Sequence, residues 1–450
     1  MEFSLQTIEG LAPDDASVRS GKGLARPSAW QEVGEEGNFL WGLCKGSGSK
    51  PYQVRIDASQ PEIGFSCSCP SRKIPCKHVL GLLFLRVQNG AELGGECPDW
   101  VKEWREKRAR RQEAAAGQAS AAGAGKKKSR KKVASFAERV DGHMPLMTEG
   151  VNLLYERMID AVRHGLTPDW LQGLSRRLVD TQLSGLALVI EKMEKVWKGR
   201  TDEASLERLL PLMGRLQLLV EAFRSQERLA EAARYDLFLA LGITLEKEQV
   251  LADGVQRDGV WQVLGVAQED FGRIRERRVW LGTAGGETAL IQDYAPRGKG
   301  FSGIFNPGDL FAGELVFYPG TVRQRALPAE NFAPAPEEER PPLPETALAV
   351  QRVREMVKAN PWLWRWPLTL ADVRLRCDTA GTLQALLADG RRLPFAVSCA
   401  ETDAWALHAL SLGGPVHCFG EWNGSAFVPL RAWREGALPW LREECVDTFA

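Results

Sequence analysis

The sequence predicts a multidomain α+β protein: a small strand-and-helix unit near the N-terminus, a helical bundle in the middle, and a β-rich C-terminal region. Three observations carry that expectation. The apolar pattern changes from short alternating runs to helical spacing and back to period two. Two stretches of biased composition, one basic and one rich in proline and glutamate, fall between these regimes. A chain of 450 residues, 44% hydrophobic and 26% charged, has length for about two to four domains and apolar content for several cores.

The first unit spans residues 1–103, and its patterned part runs from Asn38 to Asn89. A strand precedes the break at Gly46-Ser47-Gly48-Ser49-Lys50-Pro51. Strands follow at Tyr52–Asp57 and Ile63–Cys67, separated by a turn at Gln60-Pro61. From Lys77 to Val87 the spacing turns helical, with Val79, Leu80, Leu83, Phe84 and Val87 on one face. Residues 104–134 read as a basic flexible linker: Arg105, Lys107, Arg108, Arg110 and Arg111, an Ala/Gly/Ser stretch, then Lys126, Lys127, Lys128, Arg130, Lys131 and Lys132.

Residues 135–242 repeat apolar side chains at helical spacing: Val151, Leu154, Met158 and Val162; Leu186, Ile190, Met193 and Trp197; Leu212, Leu216, Leu219 and Phe223. That predicts an all-α bundle. After Gly242 the period becomes two, and strands are expected at Val260–Val266, Arg277–Gly282, Ala289–Tyr294 and Glu314–Tyr318 within a β-rich domain of residues 243–327. Residues 328–345 form a Pro/Glu-rich connector, and residues 346–450 a small α+β domain opening with a helix at Ala347–Lys358.

Composition narrows the function. The formal net charge is zero, so any attraction to nucleic acid must be local. No run of about 18 apolar residues occurs, and the start carries Glu2, Glu9, Asp14 and Asp15 where a signal peptide needs basic and then apolar residues. A cytoplasmic protein without membrane attachment is expected. Nine cysteines is an odd number, and three of them crowd between Cys67 and Cys76 while Cys44, Cys97, Cys377, Cys399, Cys418 and Cys445 stand singly. This distribution argues for reduced thiols and one metal cluster rather than a disulfide framework.

That cluster is Cys67-Ser68-Cys69-Pro70-Ser71-Arg72-Lys73-Ile74-Pro75-Cys76-Lys77-His78. Thiolates at i and i+2 of a strand share one face, so Cys67 and Cys69 can reach one ion without distorting the backbone. Cys76 and His78 follow where the chain enters the helix, after a loop stiffened by Pro70 and Pro75. Three thiolates and one imidazole make a closed tetrahedral Zn²⁺ shell with no position for water or substrate, the mark of a structural site. The N-terminal unit is therefore expected to be a small ββα-type zinc finger.

The Cys-x-Cys…Cys-x-His order, after short strands and before an apolar helix, resembles the SWIM zinc finger. The helical segment around Leu178-Val179-Asp180-Thr181-Gln182-Leu183-Ser184-Gly185-Leu186-Ala187 resembles the region that follows the finger in stand-alone bacterial SWIM proteins, and Arg278-Val279-Trp280-Leu281 and Leu315-Val316-Phe317-Tyr318-Pro319 are similar too. The resemblance implies a zinc-binding module that contacts DNA or other proteins, within a multi-protein system that includes an ATPase partner.

The main expectation is a non-enzymatic interaction protein whose finger recognises a protein partner. The alternative is sequence-indifferent DNA or RNA binding by Arg72, Lys73 and Lys77 around the finger, together with Lys126, Lys127, Lys128, Arg130, Lys131 and Lys132 of the linker. Near-zero net charge favours the first. Catalysis is not expected, because no phosphate-binding Gly-x-x-x-x-Gly-Lys-[Ser/Thr], Gly-x-Ser-x-Gly or His-Glu-x-x-His motif occurs. His408 and His417, near Cys399 and Cys418, match no ligand spacing, and Trp362-Leu363-Trp364-Arg365-Trp366 reads as core packing rather than a base-stacking platform.

Overall fold

A computed structural model describes residues 5–45, 50–58, 63–71, 73–89, 97–108, 135–197, 203–271, 274–296, 301, 303–337, 344–379, 381–398 and 401–442. Two short helices open the chain, α1 (Leu5–Leu11) and α2 (Asp15–Lys22). Asp14 caps α2, its side chain accepting from the Ser17 backbone N–H. Four antiparallel strands follow in simple meander order: β1 (Trp30–Glu36), β2 (Phe39–Cys44), β3 (Tyr52–Asp57) and β4 (Gly64–Cys67). Helix α3 (Lys77–Asn89) packs its Leu80, Leu83 and Phe84 between this sheet and α1–α2.

Residues 99–108 form helix α4, which corrects the expectation that the flexible linker starts at residue 104. The helix is pinned to the sheet. Arg105 pairs with Glu36 at 2.9 Å and covers the Phe39 ring at 4.0 Å, while Arg108 reaches the buried Asp57 at 2.7 Å. Of the four charged residues from Arg105 to Arg108, the sheet supplies partners for Arg105 and Arg108, while Lys107 pairs with Glu103 on the solvent side of the helix.

The bundle comprises α5 (Phe136–His164), α6 (Pro168–Leu171), α7 (Leu174–Asp180), α8 (Ser184–Trp197), α9 (Glu203–Arg224) and α10 (Glu231–Leu241). A capping box between Ser135 and Glu138 starts it, and Gly242, with φ of 115°, ends it. Leu154, Leu178, Leu186, Ile190, Leu216 and Phe238 are fully buried in one core. A Cβ on Gly185 would run into the Ala240 carbonyl, so glycine is what lets α8 and α10 approach. Val162, expected on the buried face, is 85% exposed: the buried stripe of α5 passes from Met158 to Ala161 instead, one residue earlier.

Helix α11 (Lys247–Asp253) leads into a six-stranded antiparallel sheet built from β5 (Val255–Asp270), β6 (Ile274–Gly282), β7 (Thr288–Pro296), β8 (Leu310–Phe317), β9 (Ala326–Pro328) and β10 (Ala333–Pro334). After α12 (Thr346–Ala359), a second six-stranded sheet contains β11 (Trp366–Cys377), β12 (Thr382–Leu386), β13 (Arg392–Ser398), β14 (Val416–Trp422), β15 (Phe427–Trp433) and β16 (Trp440–Leu441), with α13 (Thr402–Ser411) against it. Strand β10 falls within the stretch expected as an extended connector, residues 328–345, yet it pairs with β8 of the first sheet, as β9 does.

The two sheets meet along a seam. Leu264, Trp280, Phe419 and Leu430 bury one part of it. Beside them Arg278, 1% exposed, donates to Glu421 through Nε and Nη2 at 2.8 and 3.1 Å, to Glu269 at 3.2 Å and to Glu276. Arg365 reaches Glu269 and Glu421 as well, and Trp280 Nε1 donates to Glu421 at 2.8 Å. Burial alone would raise the Glu421 carboxyl, but Arg278 and Arg365 hold it below its ordinary value.

The aromatic run expected as core is core. Trp362 packs into the bundle, Trp366 into the second sheet, and Trp364 lies under Arg215 and Lys192 at 3.5 and 4.3 Å. One expectation about thiols fails: Cys377, at the end of β11, is disulfide-bonded, whereas Cys44, Cys67, Cys69, Cys76, Cys97 and Cys418 are free. Linear cysteine spacing does not say which single thiol will be paired.

Candidate metal centre

Strand β4 delivers Cys67, the turn after it Cys69, and the entrance to α3 Cys76 and His78. The strand is held in place by pairing with β3, where Val54 opposes Cys67. The helix is held by Val79, Leu80 and Leu83 in the core just past His78. All four ligand atoms lie within 4.8 Å of one another, and they are the one such group of histidine, cysteine and acidic residues among the described residues.

The geometry fits zinc. Zn–S bonds of about 2.3 Å and Zn–N bonds of about 2.0–2.1 Å place tetrahedral ligands about 3.6–3.8 Å apart. His78 presents Nδ1 to the sulfurs, 3.8 Å from Cys67 Sγ and 3.9 Å from Cys76 Sγ. The His78 imidazole and Cys76 are buried at 6% and 5% exposure, and the Tyr52 ring lies 4.8 Å from the imidazole, fixing its plane.

The backbone around the sulfurs is arranged for thiolates. Cys67 accepts from the Cys69 amide, Cys69 from the Ser71 amide and Cys76 from the Val79 amide. These are the outer contacts that orient sulfur ligands and spread their charge. The hydrogen bond from Cys67, together with His78 and the Val79 amide, favours the thiolate of Cys76, while the same bond and burial push Cys67 up. A divalent ion lets all three ionise together, leaving a net charge of about −1 with Zn²⁺.

The basic residues expected around this site divide. Lys73 is committed to Asp14, its Nζ 2.7 Å from Oδ2, and that hydrogen bond holds the Asp14 carboxyl down at about 2. Lys77, the first residue of α3, is exposed and lines a cleft of about 560 Å³ beside the ligands, with Lys45, Tyr52 and Ser71. Arg72, Lys126, Lys127, Lys128, Arg130, Lys131 and Lys132 lie outside the described residues. His408 and His417 form no metal group among the described residues: His408 Nε2 rests against Cys377 at 3.6 Å, and His417 Nδ1 accepts from the Asp372 amide at 3.3 Å.

Sequence reasoning did not anticipate that Ala16 and Ser17 of α2 would border the cleft, or that Asp14 would hold Lys73 there. The cap residue pattern Asp14-Asp15-Ala16-Ser17 was the available signal.

A closed Cys₃His shell spanning a strand end and a helix start, with its sulfurs braced by backbone amides, defines a structural zinc finger. Comparison with known families agrees: a SWIM zinc finger model matches residues 52–86, and a model of the SWIM-associated four-helix bundle domain matches residues 144–240. The chain carries a SWIM zinc finger and, after it, a SWIM-associated helical bundle, and Cys67, Cys69, Cys76 and His78 are the finger's Zn²⁺-binding group. No curated protein and no solved structure matches it.

Proposed function

We propose that this is a non-enzymatic interaction protein whose zinc finger docks a protein partner around an exposed apolar anchor. The observation that carries the reading is Ile74. It stands 65% exposed in the loop between the ligand pairs, in the same loop whose Pro70, Ser71 and Lys73 border the cleft. A large apolar side chain held out on a metal-braced loop suits insertion into a partner, and a rigid loop loses little entropy on binding.

Charge placement supports the same reading. The finger's cations are largely committed within the chain: Lys73 to Asp14, Arg86 to Glu35, Arg105 to Glu36 and Arg108 to Asp57. That leaves few of the spare cations that phosphate contact needs. A shell of four protein ligands offers no open metal position for hydrolysis, which supports an interaction role over catalysis. The resemblance to stand-alone SWIM proteins adds an ATPase as a candidate partner, in the cytoplasm.

The second reading, sequence-indifferent DNA or RNA binding, rests on the basic run Lys126–Lys132. The two are separated by comparing the full chain with Ile74→Asp and with a variant neutralised at Lys126–Lys132. Proteins retained from a native lysate are identified in parallel with a salt-titrated gel shift. The docking reading expects Ile74→Asp to lose specific protein retention while keeping its zinc, and the neutralised variant to keep it. A salt-sensitive gel shift lost only on neutralisation, with retention unchanged in Ile74→Asp, would transfer the function to the linker.

A further inference from the structure

Between the two β regions, next to the ion cluster at their seam, lies a cavity of about 470 Å³ far from the zinc site. Its floor comes from the faces that each sheet turns away from its own core. Trp261 and Val263 of β5 point into the first core, so Gln262 and Leu264 face the cavity; Leu368 and Leu370 of β11 point into the second core, so Pro367 and Thr369 face it from the other side. Helix α12 covers the opening with Ala349, Arg352 and Met356.

The cavity holds polar groups that the protein leaves without partners. Gln262 is 5% exposed and Thr369 3% exposed, and neither side chain has a hydrogen-bond partner among the described residues. Arg352 donates Nη2 to the Gly285 carbonyl at 2.6 Å, but its buried Nη1 has no partner. Gly286 sits at φ +71°, and a Cβ there would collide with that Nη1, so the turn is shaped around the guanidinium. Arg323 stands exposed on the rim with no ion pair among the described residues. The two acids of the wall are otherwise engaged, Glu287 facing Arg257 at 3.9 Å and Glu355 accepting from Gln351.

We propose that this cavity is a binding site for a small organic anion, a carboxylate or phosphate ester on an apolar body. An unpartnered buried donor is costly to leave unmade, and an anionic acceptor between Arg352 and Arg323 removes that cost. Leu264, Met356 and Pro367 take the apolar part, while the Gln262 amide and Thr369 hydroxyl orient it. Volume, apolar lining and a few convergent polar groups are the features of ligand sites. The site does not depend on the finger, so the zinc-bound full chain is the material for its test.

The probe is 8-anilino-1-naphthalenesulfonate, compared with N-phenyl-1-naphthylamine, which has the same apolar body without the charge. The expected result is saturable binding of the sulfonate at one equivalent, at least about tenfold tighter than the neutral probe, since a charge-assisted hydrogen bond is worth roughly that factor. Arg323→Gln, a surface change, should weaken the sulfonate while leaving the neutral probe unchanged, the remaining preference coming from Arg352. Met356→Trp should displace both by filling the cavity. Equal affinity of the two probes for the parent chain, sulfonate binding unaltered by Arg323→Gln, or undiminished binding in Met356→Trp would each overturn the proposal.

Discussion

The zinc finger and the seam between the β regions both gather charged or ionisable groups into a buried cluster, yet they are assembled in opposite ways. In the finger every ligand lies between Cys67 and His78, and one strand end and one helix start place all four. At the seam, Arg278 and Glu421 meet across 143 residues, Trp280 and Glu421 across 141, and Arg365 and Glu269 across 96. A local cluster can close around an ion before the rest of the protein folds. A distant one exists only after two sheets have packed, so it reports on their association.

The comparison is broken most severely at Glu421. Replacing it by alanine leaves Arg278, Arg365 and Trp280 facing a buried gap, and removing one partner of a buried pair costs about 3–5 kcal/mol. Calorimetry should show the transition of the β regions falling while zinc content stays at the parent value. An unchanged melting profile would mean that the two sheets do not depend on the seam.

A smaller effect is expected where the bundle touches the same cluster. Lys192 is held down to about 7, first by burial and then by Arg365 and Arg215, against the opposing pull of Glu269 and Glu276. Because its folded value lies below the ordinary 10.5, the unfolded chain binds more protons between pH 7 and 10.5, and stability rises with pH across that window. Below pH 7 the penalty is full and constant. Lys192→Met should therefore raise the melting temperature at pH 7 and flatten the rise; a variant with the same slope as the parent would place the titration elsewhere.

The same contrast explains what could be read from the sequence. Strand β3 was expected at Tyr52–Asp57 and lies at those residues, and α3 begins at Lys77 as its spacing implied. The bundle follows its apolar stripes, apart from Val162, where three- and four-residue steps along a helix face compete. Helices α1 and α2 and strand β1 were not foreseen: α1 and α2 are shorter than the windows in which periodicity speaks, and Trp30–Glu36 has only Trp30 and Gly34 fully buried. Arg278 reads as a polar position of an alternating strand, while Glu269 and Glu276 lie just outside the strands expected there, in the longer β5 and β6. Alternation assigns a residue to a face but does not say that a second sheet will cover that face, so the ion cluster and the cavity beside it were out of reach.

The central claim is that Cys67, Cys69, Cys76 and His78 form one closed zinc site on which the finger, but not the bundle, depends. Elemental analysis of zinc per chain, made on the parent and on Cys69→Ala and His78→Ala with helical circular dichroism alongside, addresses it directly. The account predicts one equivalent in the parent and none retained through dialysis in either variant, because a four-ligand shell has no spare donor, with the α5–α10 signal preserved. Zinc at one equivalent in both variants, or none in the parent, would contradict it.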